Sequence, residues 1–386
     1  MEYKKQHYVS QFYLKNFTRE DNKFTLLNVN KKKVIPSVHY KDQCYENYYY
    51  GKDKVWEKIL SKLEDKWAGI FNKINKSMLY FPSDEEILEI KKFAIFQRYK
   101  TPSNVDNIKK IKWGYGRSII DMVAIREKIN ITPNMLNILE KNFHESHSQN
   151  IPKEALEMAE RLLYSIDDLQ VCIINYETKN KLISSDNPII FYNSFHYRDV
   201  GLSNAGIIIL FPISPNKLIA IFDSKMYPNL NNRKHINLQN ESEVNMLNTF
   251  QMIVADEIVY FKDQIQSDRL KNNLEKYKKE KIIYEEQKNT QSFGSENDKI
   301  IATHTRHIPL AYTFWFSKPI NKALRFKEEE KDWFPRKHTK EYERRMKTRP
   351  EILKNIIPRI ESKNKVNTKQ VERFNNFIED YWKNSL

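Results

Sequence analysis

Seven side chains on separated segments of the chain are of types that carry acid–base or phosphate chemistry: His7 and Gln11, Glu57 and Glu64, Arg98 and Lys100, and Asp186. Imidazole is the ordinary proton carrier near neutral pH. Carboxylate oxygens hold hard cations such as Mg²⁺ or Mn²⁺, and guanidinium or ammonium groups stabilise charge developing on a phosphate. Together they form the outline of a divalent-metal-dependent nuclease. His7, with Gln11 beside it, is the base or a metal ligand. Glu57, Glu64 and Asp186 hold the ion, and Arg98 or Lys100 meets the phosphate. The outline holds only if the segments converge in space.

Each group has a local setting that can be read from spacing. In VSQFYLKNF the apolar residues Val9, Phe12, Tyr13 and Phe17 recur with helical period, and Ser10 is the expected N-cap. His7 then lies near the positive end of a short helix, where the dipole disfavours its charged form. The other reading is a half-buried histidine bonded to a backbone carbonyl. From Lys54 to Lys76 a stripe runs through Trp56, Ile59, Leu60, Leu63, Trp67, Ile70, Phe71 and Ile74. Glu57 and Glu64, seven apart, share its edge, either as an acid pair or as solvated surface groups. Ser83 and Glu86 form a capping box that opens a helix ending at Thr101-Pro102. Gln97 and Arg98 lie in its last turn, where the arginine either clamps an anion or balances the negative helix end. Asp186 sits in ISSDNPII, between two strands, as a site residue or as an ordinary turn residue before Pro188.

Other stretches are weaker. KDQCYENYYYGKDKV is a tyrosine-rich loop, suited to stacking on bases or to covering the core. HESH at 144–147 lacks the spacing of a metal motif. No E-x-K follows the Asp186 strand, so the PD-(D/E)xK nuclease pattern is not met.

Composition narrows the classes. The 386 residues carry a net charge of +15, which favours acidic partners, nucleic acid first and a membrane surface second, with simple solvation the competing explanation. Only seven glycines are present and neither GxxxxGK[ST] nor GxGxxG occurs, so no nucleotide cofactor is expected. No apolar run is long enough to span a membrane and no signal segment opens the chain, so no integral membrane partner is expected. Two cysteines, Cys44 and Cys172, give neither a disulfide framework nor a cysteine zinc site, which fits a reducing bacterial cytoplasm.

The predicted fold class is α+β. An N-terminal hairpin (FTLLNVNKKKVIPSV) and long amphipathic helices pack on a mostly antiparallel central sheet built from VCIINY, LISSD, PIIFYN, AGIIILFPIS and KLIAIF. Residues 105–165 read as helical. The main domain is placed at 1–284, a linker at 285–300, and a basic, aromatic, helical extension at 301–386.

QHYVSQFYLKNF, VWEKILSKLEDKWAGI, FQRYKTP, LISSDNPII and LFPISPNKL occur in that order. This set resembles the bacterial domain-of-unknown-function family 4238 over residues 5–265. That family opens on His-Tyr-Val-Pro-Gln-Phe-Tyr-Leu and continues with helix glutamates, an Arg-Thr-Pro helix end, a Ser-Asp-x-Pro turn and a Phe-Pro-Leu-Ser-Pro hairpin. The chain departs from the pattern twice, with Ser10 where the family has Pro and Lys100 where it has Arg. The family name assigns no activity. The resemblance implies candidate positions, Gln6-His7 among them, rather than a reaction.

The expectation at this stage is a nucleic-acid-directed enzyme, nuclease-like or toxin-like, in bacterial defence. A non-catalytic nucleic-acid-binding or regulatory protein is the alternative, and a buried polar network that only specifies the core is a third reading.

Overall fold

The runs IIILFPIS and KLIAIF are apolar at almost every position, which a strand tolerates only when both its faces are covered. The computed structural model covers them on both. It describes residues 4–52, 55–147, 150–194, 201–277, 308 and 310–319. In chain order the elements are β1 (Lys5–His7), α1 (Gln11–Lys15), β2 (Lys23–Asn28), β3 (Lys33–His39), β4 (Tyr45–Asn47), α2 (Val55–Lys76), α3 (Asp84–Tyr99), α4 (Pro102–Glu127), α5 (Pro133–His147) and α6 (Ile151–Leu162). Then follow β5 (Gln170–Tyr176), β6 (Ser184–Ser185), β7 (Ile190–Asn193), β8 (Ile207–Ser214), β9 (Lys217–Phe222), β10 (His235–Leu238), α7 (Glu241–Val254), β11 (Ile258–Phe261) and α8 (Ser267–Lys276). This is an α+β fold.

The central sheet has the order β10-β5-β9-β8-β7 and is antiparallel except where β10 joins β5. Side chains alternate across it. Ile173, Ile209, Phe211, Ile219 and Ile221 enter one core with α1, α2, α3 and α6. Ile174, Leu210, Leu218, Ala220 and Phe222 enter a second with α7, Ile308, Phe314 and Phe316. Within the first, Trp67 and Phe71 each meet Phe93 edge to face, Phe211 packs tilted on Phe93 and stacked on Phe71, and the Trp67 indole N–H donates to Glu89 at 3.0 Å.

A second sheet, β3-β2-β11-β6, carries the predicted hairpin on one side and, on the other, the short strand that ends just before Asp186. A two-stranded ribbon, β1 with β4, holds His7 opposite Tyr45. The capping box at Ser83 and Glu86 opens α3 as predicted. The second half of α3 is buried nearly all round, from Phe93 to Arg98, so its polar residues must find partners inside the protein. Residues 310–319 lie against β7 and α7. The Tyr192 hydroxyl accepts the Tyr312 N–H at 2.7 Å, and Glu243 accepts the Trp315 N–H. The expected linker, most of the expected C-terminal extension and its helices lie outside the described residues.

Candidate functional site

The end of α3 feeds two polar networks, one on each side of it. The first gathers the N-terminal segment and α2. Lys100, fully buried, donates from Nζ to Ser10 Oγ at 2.8 Å and to Glu64 Oε1 at 2.9 Å. Ser10 donates from Oγ to the same Glu64 oxygen at 2.7 Å, so three groups close a triangle. Ser10 occupies the N-cap position of α1, but its hydroxyl makes no cap bond there. The carboxylate and ammonium have recruited it instead, because charge-assisted bonds outweigh a neutral cap. Gln97 Nε2 donates to the Tyr8 carbonyl at 2.9 Å, and its Oε1 accepts the Ser10 N–H at 3.3 Å. Gln6 reaches Glu57 Oε2 at 3.2 Å and the Gly51 carbonyl at 3.0 Å, while its own Oε1 accepts the Tyr50 N–H.

His7 stands at the rim of this network, half-buried. Nε2 faces the Lys41 carbonyl and Nδ1 faces Gln11 Nε2, each at 3.2 Å. Donation from Nε2–H and acceptance at Nδ1 satisfies both contacts with a neutral ring. Burial is the main force holding its pKa below the usual histidine value. The Lys41 carbonyl and the Glu64 charge oppose that shift, and the Lys100 charge adds to it. Burial, and not the helix dipole of the sequence-based expectation, is thus the main cause that favours a neutral ring. The backbone-carbonyl partner of the second reading is present as well.

The second network surrounds Asp186. Oδ1 accepts the Asp256 N–H at 2.8 Å, and Oδ2 accepts those of Glu257 and Ile258 at 2.8 and 2.9 Å. The carboxylate thus clasps the turn between α7 and β11. Arg98 turns to the neighbouring residue, with Nη1 donating to Asn187 Oδ1 at 2.8 Å and its guanidinium 5.3 Å from the centre of the Phe191 ring. Asn187 Nδ2 in turn reaches Ser103 Oγ at 3.2 Å. Burial and the adjacent Asp256 carboxylate push Asp186 up to about 7, against the pull of its three N–H donors.

That shift has a sign. Unfolded, the carboxyl titrates near 3.8; folded, near about 7. Between the two the native state keeps a proton that the unfolded chain releases, so stability from this group is full below about pH 4 and falls as pH rises to about 7. Asp186→Asn cannot titrate. The stability of wild type minus that of the variant, from urea midpoints at pH 4, 5.5 and 7.5, should therefore decline across this window. A flat or rising difference would show an ionised Asp186 throughout.

The structure thus joins Glu64 to Lys100 and His7 to Gln11, with Glu57 linked to Gln6, the residue before His7. Asp186 and Arg98 belong to the other network. Among the described residues no group of three His, Cys, Asp or Glu side chains is placed to hold a metal ion. Sequence reasoning passed over Asn187 and Asp256, and it gave Ser10 only a capping role. The inward face of α3 at Gln97 was the available signal for the first network.

A sequence model described as a protein of unknown function (DUF4238) matches residues 5–264. The chain belongs to the DUF4238 family. No curated protein matches it, and no solved structure does. The stretches that carry the DUF4238 resemblance supply most members of the first network and, in the second, Arg98, Asp186 and Asn187. The two departures from the DUF4238 pattern, Ser10 and Lys100, touch each other at 2.8 Å. A lysine presents a point charge where arginine presents a fork.

No helix among the described residues is long and apolar enough to cross a membrane.

Proposed function

We propose that the protein is a nucleic-acid-directed enzyme whose proton chemistry centres on His7. The observation that supports this most is a half-buried imidazole standing within electrostatic reach of the Glu64–Lys100–Ser10 triangle, the groups being drawn from three separate segments. A neutral imidazole can take a proton from water or from a ribose hydroxyl at pH 7. Glu64, one quarter exposed, is the carboxylate whose charge acts on the His7 ring, and it is the group to support the resulting charge or to hold Mg²⁺ or Mn²⁺ together with Glu57. Lys100 acts from behind, fixing the Glu64 carboxylate rather than touching substrate. The net charge of +15 supports a polyanionic substrate.

A second reading, a nucleic-acid-binding protein without catalysis, draws on a different observation. Buried cations here face inward. Lys91 donates to the Asp167 carbonyl at 2.7 Å, Arg98 to Asn187, and Lys217 to the Asn75 and Ser77 carbonyls at 3.3 and 3.1 Å. None of these contacts leaves the cation poised as a phosphate clamp.

The test is a gel assay of the full chain with labelled RNA and DNA, in Mg²⁺, Mn²⁺ and EDTA, beside His7→Ala. Expected is cleavage by wild type and a loss of at least 100-fold in the variant, with an unchanged melting temperature. Cleavage that persists in His7→Ala would remove the histidine from the chemistry. Band shifts without cleavage in any lane would favour the binding protein, and the EDTA lane decides whether an ion takes part.

A further inference from the structure

The tyrosine-rich loop divides sharply in space. Tyr49 and Tyr50 are buried, whereas Tyr45 and Tyr48 are half-exposed at the ribbon formed by β1 and β4. The register pairs Lys5 with Asn47 and His7 with Tyr45. Side chains directly opposite one another, and those two apart on one strand, share a face. Lys5, His7, Tyr45 and Asn47 therefore line the outer face, while Gln6 enters the interior. Each exposed ring carries a cation. Lys5 Nζ lies 4.4 Å from the centre of the Tyr45 ring and Lys52 Nζ 5.3 Å from that of Tyr48. The His7 ring stands 5.6 Å from Tyr45. Lys41 is exposed beside them, and the carboxylate on this side is Asp42, 3.3 Å from Lys5, because Glu46 pairs with Gln6 and takes the opposite face. An exposed pair such as Lys5–Asp42 is weak and exchanges readily for a phosphate.

Resting on the reading above, we propose that this outer face is a stacking platform for single-stranded nucleic acid, which delivers the strand to His7. Half-exposed aromatic rings flanked by cations are what unpaired bases and their phosphates require. Tyr48 follows the end of β4 with a left-handed φ of 58°, so the strand's alternation stops before it and its ring stands at the end of this face, at most about 10 Å along the chain from Tyr45. That is the length of about three nucleotides at roughly 3.4 Å each. A duplex hides its base faces within its own stack and offers the rings nothing to lie on.

The platform is tested with the full chain and a labelled 12-nucleotide single-stranded DNA, the matching RNA and the corresponding duplex, by fluorescence anisotropy at fixed salt. Single strands should bind at least tenfold tighter than duplex. Tyr45→Ala and Tyr48→Ala should each weaken single-strand binding on the order of tenfold, and Tyr45→Phe and Tyr48→Phe should preserve it. Lys5→Gln and Lys52→Gln, at exposed positions that folding does not need, should each lower the slope of log affinity on log salt by about 0.7. They keep the test decisive if an alanine variant fails to fold. Equal binding of duplex and single strand, or tyrosine and lysine variants that bind as wild type does, overturns the platform. Cleavage is read in parallel. Tyrosine-dependent binding without cleavage upholds the platform and overturns the catalytic reading, and cleavage with tyrosine-independent binding does the reverse. The DNA and RNA arms assign the sugar.

Discussion

Glu64→Ala should destabilise the protein by about 3 kcal/mol or more, measured as a shift in the urea midpoint at neutral pH. The reason lies with the partner left behind. Lys100 has no exposed surface, and its ammonium has Glu64 as its charged partner and Ser10 as a neutral one. Removing one member of a buried ion pair strands the other, at a cost of about 3–5 kcal/mol. Glu64 itself is one quarter exposed, which sets the expectation at the low end of that range. The double variant Glu64→Leu with Lys100→Met removes both charges and should recover most of the loss, because apolar replacement of such a pair is often neutral. The coupling energy from that cycle measures the pair itself. A single variant that loses less than about 1 kcal/mol would mean that water reaches Lys100 and that the triangle does not organise the site.

Asp186→Ala carries the second large expected effect. Three backbone N–H groups, those of Asp256, Glu257 and Ile258, would lose their acceptor at once. Each buried donor left unsatisfied costs about 1–3 kcal/mol. Partial access of water to the turn brings the expected total to about 3–5 kcal/mol. Asp186→Asn keeps one acceptor oxygen and should cost about 1–2 kcal/mol. Thermal and urea unfolding of the two variants decide the matter. An Asp186→Ala protein that melts like wild type and has lost all cleavage would move this carboxylate from the turn to the reaction.

The contrast between the two carboxylates shows what the sequence discloses. Ser83-x-x-Glu86, the stripe of α2, the hairpin around Asn30 and the all-apolar strands are local patterns, set by interactions within a few residues, and the structure has each of them. The polar networks are different. Glu64 and Lys100 are 36 residues apart, and Asp186 and Asp256 are 70 apart. Nothing within a local window tells a turn aspartate that caps its own loop from one that clasps another. Ser10 shows the same limit at shorter range. Its position was legible as a cap, but the direction of its hydroxyl depends on a lysine 90 residues away. Polar residues on an inward helix face, as at Gln97, were the one local sign that such partners exist.

The stretch at 310–319 bears on how the protein can be divided for experiment. The family match closes at residue 264, yet Phe314 and Phe316 complete the second core against Phe250 and Tyr192. Recognition by sequence and folding as a unit therefore end at different places. A fragment trimmed at the family boundary would bare an aromatic groove along α7 and present it to every other copy in the tube, so its aggregation would report the cut rather than the native chain.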